Sequence, residues 1–335
     1  MMASADSPKK IAVIGGTGNL GSSVALSLHD NPSFHVRVIT RDVSGPKAKR
    51  IANAGIELAQ ADAWKCEELA TAFAGCWGLF LNIDSDAPNF KQQIGPTELE
   101  MGKIILDAAA AAGIGHVVHA SLPAATELTN GAVPLVAFDD KSAVSKYALE
   151  CGKFETVSIL SAAWFLENAF DPKYTASFGG FAMIKDADGY LTWATPRMGN
   201  DPESVPFLAA ADDYGDFVHG VFLGPEAWNG KYIHGVSESS SFSNMTDVFE
   251  RVTGKKARYR EVESLQAPDK FKTKEVNGLF DLMHAIKGNF FNGVPTQHED
   301  AKKLKAAAAQ ARGRSAEATK PMTLEQFFRK YAMSN

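Results

Sequence analysis

Four glycines near the start of the chain, Gly15, Gly16, Gly18 and Gly21, have the spacing of a phosphate-binding turn. They follow the apolar run IAVIG and precede a segment with helical spacing of apolar residues. Such glycines allow a tight turn, close approach of backbone N–H groups to a diphosphate, and close packing of the helix on the sheet. The same turn could also form without a ligand. We predict a dinucleotide site made by Gly15, Gly16, Thr17, Gly18, Asn19, Leu20 and Gly21.

The end of the second strand candidate should distinguish between the two nicotinamide dinucleotides. An acidic residue there binds the ribose 2′-hydroxyl of NAD, whereas an arginine accommodates the 2′-phosphate of NADP. The segment VRVITRD places Arg41 at this point, with Lys47, Lys49 and Arg50 close behind it, which favours NADP(H). Asp42 keeps the alternative open because its carboxylate could bind a ribose hydroxyl, and Arg41 could also be a solvated surface residue.

Asp62 and Asn82 end the third and fourth strand candidates, on the expected path of the cofactor. We predict that Asp62 lies near the adenine edge and that Asn82 lies further along the dinucleotide. Either side chain could instead cap a loop, a common role of Asp and Asn after strands.

The elements that must position these residues alternate strictly through the first half of the chain. Strand patterns cover residues 11–15, 34–40, 56–62, 77–83, 116–122 and 156–162, and helical patterns separate them. Alternation of this kind predicts right-handed βαβ units. We therefore expect an α/β fold with a doubly wound parallel Rossmann sheet.

The second half is less regular, and its composition changes near residue 163. We predict a Rossmann domain over residues 1–162 and a smaller C-terminal α+β domain, for a substrate or partner, over 163–335. Residues from about 205 to 235 are expected to return to the Rossmann sheet. Asp212 or Asp213 is expected to cap a helix, and Thr323 has capping-box spacing to Gln326. The alanine-rich segment 306–321 suits either a helix or a mobile linker.

Composition excludes several classes of function. The chain has 335 residues and a net charge of −5, so no basic field favours direct nucleic-acid binding. No apolar run is long enough to cross a bilayer, so we expect no membrane contact. The N-terminus lacks a secretory signal, and three widely spaced cysteines suit an intracellular protein without disulfides. The motifs of zinc proteases, serine hydrolases and P-loop enzymes are absent, and we predict no metal site.

The segments GGTGNLG, TRD and HVVHASLP resemble the short-chain dehydrogenase/reductase superfamily. Those enzymes typically carry Tyr-x-x-x-Lys, whose tyrosine exchanges a proton with the substrate. None of the seven tyrosines here has a lysine four residues later. The segments HASLPAATE, FDDKSAVSKYAL, SAAWFLENAF and WNGKYIHG are similar to the NmrA-like family, an atypical branch in which the tyrosine is absent.

This resemblance implies NADP(H) as the cofactor and assigns provisional roles to residues in the cleft. Lys141 would approach the nicotinamide ribose and is the candidate catalytic group, while Ser121 and Pro123 would line the nicotinamide end. Ala137 stands where some members have His, which removes an obvious proton donor. The mouth toward the second domain would be lined by Trp164, Phe165, Glu167 and Asn168. Each residue also suits a structural role, as a surface lysine, a strand-end hydroxyl, a core aromatic or a helix terminus.

The resemblance implies two possible functions. One is a redox-sensing regulator that binds NADP(H) and contacts a transcription factor or signalling protein, in the cytoplasm and possibly the nucleus. Such a sensor needs different affinities for its two states, and the missing tyrosine favours it. The other is an NADPH-dependent reductase of a small aromatic, quinone, enone or imine metabolite. In that case Lys141, with burial and a nearby cation lowering its pKa, would exchange the proton, and Trp164, Phe165, Phe170 and Trp193 would suit a flat substrate.

Overall fold

The structure, a computed structural model, describes residues 7–91, 95–172, 174–266 and 270–333. Its strands are β1 (Lys9–Ile14), β2 (Phe34–Thr40), β3 (Glu57–Gln60), β4 (Gly78–Leu81), β5 (His116–Ser121), β6 (Thr156–Ala162), β7 (Trp164–Phe165), β8 (Leu191–Thr195), β9 (Val205–Leu208), β10 (Tyr232–Gly235), β11 (Glu238–Ser240) and β12 (Ala257–Glu261). Its α-helices are α1 (Asn19–His29), α2 (Pro46–Asn53), α3 (Cys66–Phe73), α4 (Pro88–Lys91), α5 (Glu98–Ala111), α6 (Ala125–Leu128), α7 (Val136–Glu150), α8 (Gly215–Leu223), α9 (Phe242–Thr253), α10 (Lys270–Ala285), α11 (Glu299–Ala311) and α12 (Leu324–Tyr331).

Seven strands form one sheet in the order β10-β6-β5-β4-β1-β2-β3. Every neighbouring pair in this sheet is parallel. Strands buried on both faces are continuously apolar, which is why β1 and β4 read as uninterrupted hydrophobic runs. The predicted α/β fold with a doubly wound parallel Rossmann sheet is confirmed, and all six strand candidates of the first half are present.

The position of the cleft follows from the strand order. The chain progresses outward from β1 through β2 and β3 in one direction, and from β4 through β5 and β6 in the other. Loops after β1 and β4 therefore diverge to opposite faces and leave a crevice at the carboxyl ends of these two strands. The glycine turn follows β1 and Asn82 follows β4, so both lie at this crevice.

Helices cover both faces of the sheet. Helices α1, α8 and α11 pack together on one face, and α3, α5 and α7 pack together on the other. Beyond β6 the chain builds two small sheets, β11-β9-β7 and β12-β8, with α9 beside them. The apolar core beneath α1 and α8 continues into this region, where Trp164 contacts Trp193 and Phe242.

Three predictions for the second half of the chain can be compared with the structure. Residues 306–311 of the alanine-rich segment form the last part of α11, and the capping box of Thr323 with Gln326 begins α12. The expected N-cap at Asp212 or Asp213 is wrong, because a π-helical turn over Ala210–Tyr214 leads directly into α8 without a side-chain cap. No helix in the described ranges is long and apolar enough to cross a membrane.

Candidate functional site

The turn after β1 excludes side chains at three of its glycines. Gly15 has a φ of +77°, and a Cβ there would lie 2.3 Å from the carbonyl oxygen of Asn82. A Cβ on Gly21 would lie 2.2 Å from the carbonyl oxygen of Gly15, and one on Gly16 would lie 2.6 Å from Cγ1 of Val38. These contacts require glycine for the turn itself, and the contact at Gly21 brings α1 tightly against the turn.

Gly18 has a different role, because a Cβ there would meet nothing closer than 3.4 Å. This residue is the N-cap of α1, so the helix begins without a side-chain cap, and its first turn contains no acidic residue. The first N–H groups of a helix have no acceptor within the helix and attract anions. The turn therefore fits a diphosphate.

The loop after β2 and the start of α2 each present one cation to the cleft. Arg41 and Lys47 both line it and are exposed. The neighbouring Asp42 faces its own turn, where Oδ1 accepts hydrogen bonds from the N–H of Ser44 at 2.8 Å and of Gly45 at 3.1 Å. The Ser44 hydrogen bonds lower the pKa of Asp42, which keeps this carboxylate ionised in the turn. The geometry therefore favours Arg41 over Asp42 as the group that meets a ribose substituent.

The glycine turn opens into a cleft of about 730 Å³ that extends to the C-terminal region. The predicted residues that line it are Gly15, Thr17, Gly18, Asn19, Leu20, Arg41, Asp62, Asn82, Ser121, Lys141, Trp164, Phe165 and Asn168. The predicted residues outside its lining are Gly16, Gly21, Pro123 and Glu167. The structure thus brings together residues from five strand ends that are far apart in the sequence.

Asp62 lines the cleft and also stabilises the loop before α3. Its Oδ1 accepts a hydrogen bond from the N–H of Trp64 at 3.2 Å, and its own N–H donates to Glu68 at 2.8 Å. Asn82 shapes the turn through its backbone carbonyl, which lies where a Cβ on Gly15 would be. Asp62 therefore stabilises the loop and also lines the cleft, and its contact with the adenine stays a prediction.

Glu167 is turned away from the cleft, contrary to the role expected from the resemblance. Its Oε1 accepts a hydrogen bond from the N–H of Ala211 at 2.9 Å, which holds the start of the π-helical turn. Burial raises the pKa of this carboxyl, because few partners compensate for the loss of water. Glu167 therefore links two segments that are distant in the sequence and is not among the residues that line the cleft.

Two aromatic residues expected near the mouth lie elsewhere. Trp193 is 2% exposed and stacks on Phe181, and Phe170 packs against Phe327 and Phe328. The apolar wall of the cleft comes instead from other segments, in addition to Trp164 and Phe165. Its members include Leu122, Leu135, Phe138, Phe178, Met198, Val276, Leu279 and Phe290.

Lys141 lies in the second turn of α7 and is 7% exposed, so it is not a first-turn surface residue. Its Nζ donates to the carbonyl oxygen of Ile83 at 2.7 Å and to Oε1 of Glu98 at 2.6 Å. Burial raises the pKa of Glu98, although the ion pair with Lys141 opposes that shift. The cation expected beside Lys141 is wrong: the charged side chain that pairs with it is a carboxylate. An ammonium has three N–H donors, and two of them have acceptors among the described residues, so the third can serve a ligand in the cleft.

A chain of hydrogen bonds lies behind the wall of the cleft. Nδ1 of His119 is 2.8 Å from Oγ of Ser145, which is 2.8 Å from Oγ of Ser121. Burial, together with the charge of Lys141, lowers the pKa of His119 to about 3, so its ring is neutral. Among the three residues of the hydrogen-bonded chain, His119, Ser145 and Ser121, only Ser121 lines the cleft.

Sequence patterns did not identify Glu98, His119 or Ser145 as site residues. One signal was available for His119. It is two residues from Ser121 on β5, and side chains two residues apart on a strand face the same side of the sheet. Glu98 had no comparable signal, since it follows the N-cap Thr97 of α5 and looks like an ordinary first-turn acid.

Comparisons with known proteins agree with this architecture. The model of the NmrA-like family matches residues 7–328. The chain is 41% identical to an NmrA-like family domain-containing oxidoreductase, FrzB, from Cladobotryum sp, covering 96% of this chain and 97% of that protein. It is 40% identical to the similarly named hkm9 of Aspergillus hancockii, covering 96% of each. The crystal structure of the negative transcriptional regulator NmrA with NADP superposes with a TM-score of 0.75 at 21% identity, covering 97% of this chain and 96% of that one.

Proposed function

Since this chain belongs to the NmrA-like family, we propose that it is an oxidoreductase that binds NADPH in the cleft and reduces a small aromatic acceptor there. The observation that carries this proposal is Lys141, a buried ammonium at the cleft with two hydrogen-bond acceptors, Ile83 and Glu98, among the residues that the structure describes. The relatives FrzB and hkm9 are both named as oxidoreductases, which supports the same class of activity.

The residues of the cleft fit the successive parts of the dinucleotide. The first turn of α1 would hold the diphosphate, and Arg41 with Lys47 would hold the 2′-phosphate. Asp62 would lie near the adenine, while Ser121 and Lys141 would meet the nicotinamide end. When bound, NADPH supplies a hydride to the acceptor.

The cleft walls favour a flat apolar substrate beside the nicotinamide end. Phe138, Phe178, Leu279 and Phe290 line this part of the cleft, and ligand sites of this kind combine an apolar wall with a few polar groups. A quinone, an enone or an aromatic imine has the required shape and a single acceptor atom. The Ser121 hydroxyl and the third N–H of Lys141 are the protein groups that would stabilise negative charge on that atom.

Cofactor choice is tested by calorimetry with NADPH and NADH on wild type and Arg41→Glu. A charge-assisted hydrogen bond contributes about 1.5–3 kcal/mol, so NADPH affinity should fall roughly tenfold to a hundredfold. NADH affinity should change little, because NADH has no 2′-phosphate. Arg50→Glu, on the exposed side of α2 and outside the cleft, is the matched control. An equal loss for both dinucleotides would contradict the assignment of Arg41 to the 2′-phosphate.

Catalysis is tested by mixing the protein with NADPH and a panel of quinones, enones and imines. Absorbance of the reduced nicotinamide should fall steadily with at least one acceptor in wild type and far more slowly in Lys141→Ala. NADPH that binds tightly but is never consumed would reject the reductase.

The second candidate is the redox-sensing regulator, which acts through a transcription factor or signalling protein. It is favoured by the residue four positions before Lys141: this is Ala137, so neither the tyrosine of Tyr-x-x-x-Lys nor the histidine of some family members is present there. A sensor binds NADP⁺ and NADPH with different affinities, or changes its partner affinity when either binds. Pull-down of a protein partner that depends on one cofactor form, without turnover, would support this alternative.

A further inference from the structure

The chain of hydrogen bonds from β5 to α7 has a direction that the buried ring determines. The first two members of the chain are fixed in the interior, since His119 is 0% exposed and Ser145 is 6% exposed. The neutral ring of His119 carries one proton, on either Nδ1 or Nε2. The position of that proton decides whether the chain donates toward the cleft or away from it.

The surroundings of Nε2 favour the proton on Nδ1. Nε2 is buried and has no hydrogen-bond partner among the residues that the structure describes. A buried N–H without an acceptor is rarer in proteins than an acceptor without a donor. With the proton on Nδ1, only a lone pair stays unpaired, and the N–H donates to Ser145 at 2.8 Å.

The same direction continues through the two serines. Having accepted from His119, the hydroxyl of Ser145 donates either to Ser121 at 2.8 Å or to the carbonyl oxygen of Lys141 at 3.2 Å. The shorter contact has the usual length of a bond between hydroxyl groups. Ser121 then keeps its own proton, whose acceptors within the protein are distant: the carbonyl oxygens of Leu122 at 3.3 Å and Lys141 at 3.4 Å.

We propose that His119 and Ser145 are positioning residues that make Ser121 a hydrogen-bond donor to an acceptor atom of the substrate. This inference rests on the proposed reductase function and narrows its substrate class. The site takes a carbonyl oxygen or an imine nitrogen next to Ser121, and it disfavours a ligand that presents only an N–H or O–H there. Ser121 touches the substrate, whereas His119 and Ser145 act through it.

The first test is the tautomer of His119 in the protein without substrate. Two-bond ¹H–¹⁵N correlation spectra of uniformly labelled protein distinguish Nδ1–H from Nε2–H, and His119→Phe identifies the resonance. The Nδ1–H form is expected. The Nε2–H form would overturn the inference, because Ser145 would then donate to His119 and Ser121 would donate inward. This result decides the inference whether or not a reducible substrate has been found.

The second test uses the acceptors that wild type reduces. Ser145→Ala should lower kcat about tenfold with little change in KM for NADPH, the effect of one neutral hydrogen bond of roughly 1.4 kcal/mol. Ser145→Thr keeps a hydroxyl and should recover most of the loss. Ser158→Ala is the matched control, because Ser158 is buried on β6 and donates to the carbonyl of Trp228 outside the cleft.

The outcomes separate the two claims. Turnover by wild type that is unchanged in Ser145→Ala overturns the role of the chain and leaves the reductase intact. Absence of turnover in wild type defeats the reductase, and the tautomer measurement still decides the direction of the chain. Ser121→Ala should lower kcat at least as much as Ser145→Ala, and the double variant should add little, since both remove the same interaction.

Discussion

Two buried lysines, Lys141 and Lys305, both pair with carboxylates but have different surroundings. Lys305, on α11, donates to the carbonyl oxygen of Asp212 at 3.0 Å and pairs with Asp213 at 2.7 Å and Asp216 at 3.1 Å. Three oxygen atoms from Asp212, Asp213 and Asp216 therefore surround this ammonium. Lys141 engages two donors, with Ile83 and Glu98, and lines the cleft.

The difference teaches that a buried ion pair does not by itself indicate a functional site. Both lysines are about equally buried, at 7% exposure. Burial would lower the pKa of Lys305, but Asp213 and Asp216 together raise it, so this ammonium stays charged to hold α11 against α8. What distinguishes Lys141 is that only two oxygen atoms of the described residues pair with its ammonium, and that it lines a cavity large enough to hold a ligand.

The largest effect on stability should come from Lys305→Met. Removing this ammonium leaves Asp213 and Asp216 buried without their main partner, and breaking a buried pair from one side costs about 3–5 kcal/mol. The free energy of unfolding, measured by urea denaturation, should fall by that amount. Lys302→Met, on the exposed face of the same helix, should cost less than about 1 kcal/mol. Equal losses for the two variants would show that the buried ion pairs of Lys305 contribute no more to the free energy of unfolding than an exposed ion pair does.

Replacing Lys141 should reduce stability less than replacing Lys305 does, but should reduce turnover more. Lys141→Met leaves Glu98 unpaired, but burial already raises the pKa of that carboxyl, so it can take up a proton. We expect a loss of about 1–3 kcal/mol in unfolding free energy and of at least roughly a hundredfold in turnover. In the double variant with Glu98→Gln the stability should recover in part, because no buried charge remains.

Turnover of the double variant, Lys141→Met with Glu98→Gln, tests whether Lys141 differs from Lys305 in function. If Lys141 contacts the ligand, turnover stays low although stability returns. If turnover recovers as well, Lys141 merely neutralises Glu98 and resembles Lys305. Urea denaturation and oxidation of NADPH, measured on the same four proteins of the cycle, separate these cases.

The two ends of the cleft also differ in how far the sequence predicts them. The glycine turn was predicted because backbone geometry over residues 15–21 is local, and a side chain at Gly21 would collide with Gly15 in the same turn. The parallel sheet followed from strict alternation of strands and helices. Lys141 came only from the family resemblance, because its second-turn position on α7 has no distinctive pattern.

The partners of these lysines could not be predicted, for a physical reason. Glu98 lies 43 residues before Lys141, and Lys305 lies 89 residues after Asp216, so only the folded arrangement of helices brings them together. The expectation that Asp213 caps a helix was wrong because a π-helical turn places its carboxylate inside the protein. Glu167 was misplaced for a similar reason, since its hydrogen bond to Ala211 crosses between distant segments.

The smallest effect we predict is a change in acid sensitivity from the region of Lys305. His219 is fully buried there, between Ser27 and Asn31. Burial, reinforced by Arg312 and opposed by Asp216, lowers the pKa of His219 to about 4. In the unfolded chain a histidine has its ordinary pKa near 6.5, so between pH 6.5 and 4 the unfolded state binds a proton that the folded state does not.

Folding stability contributed by this ring is therefore complete above pH 6.5 and decreases as the pH falls toward 4. From pH 7 to 5 it should lose about 2 kcal/mol, since each pH unit below 6.5 costs about 1.4 kcal/mol. His219→Gln should lower the free energy of unfolding at pH 7 but reduce its further decline at pH 5 by that amount. His29→Gln, at the exposed end of α1, should decline as wild type does. A parallel decline in His219→Gln would mean that this ring takes up its proton in the folded protein, and that the region around Lys305 is more accessible to water than its burial indicates.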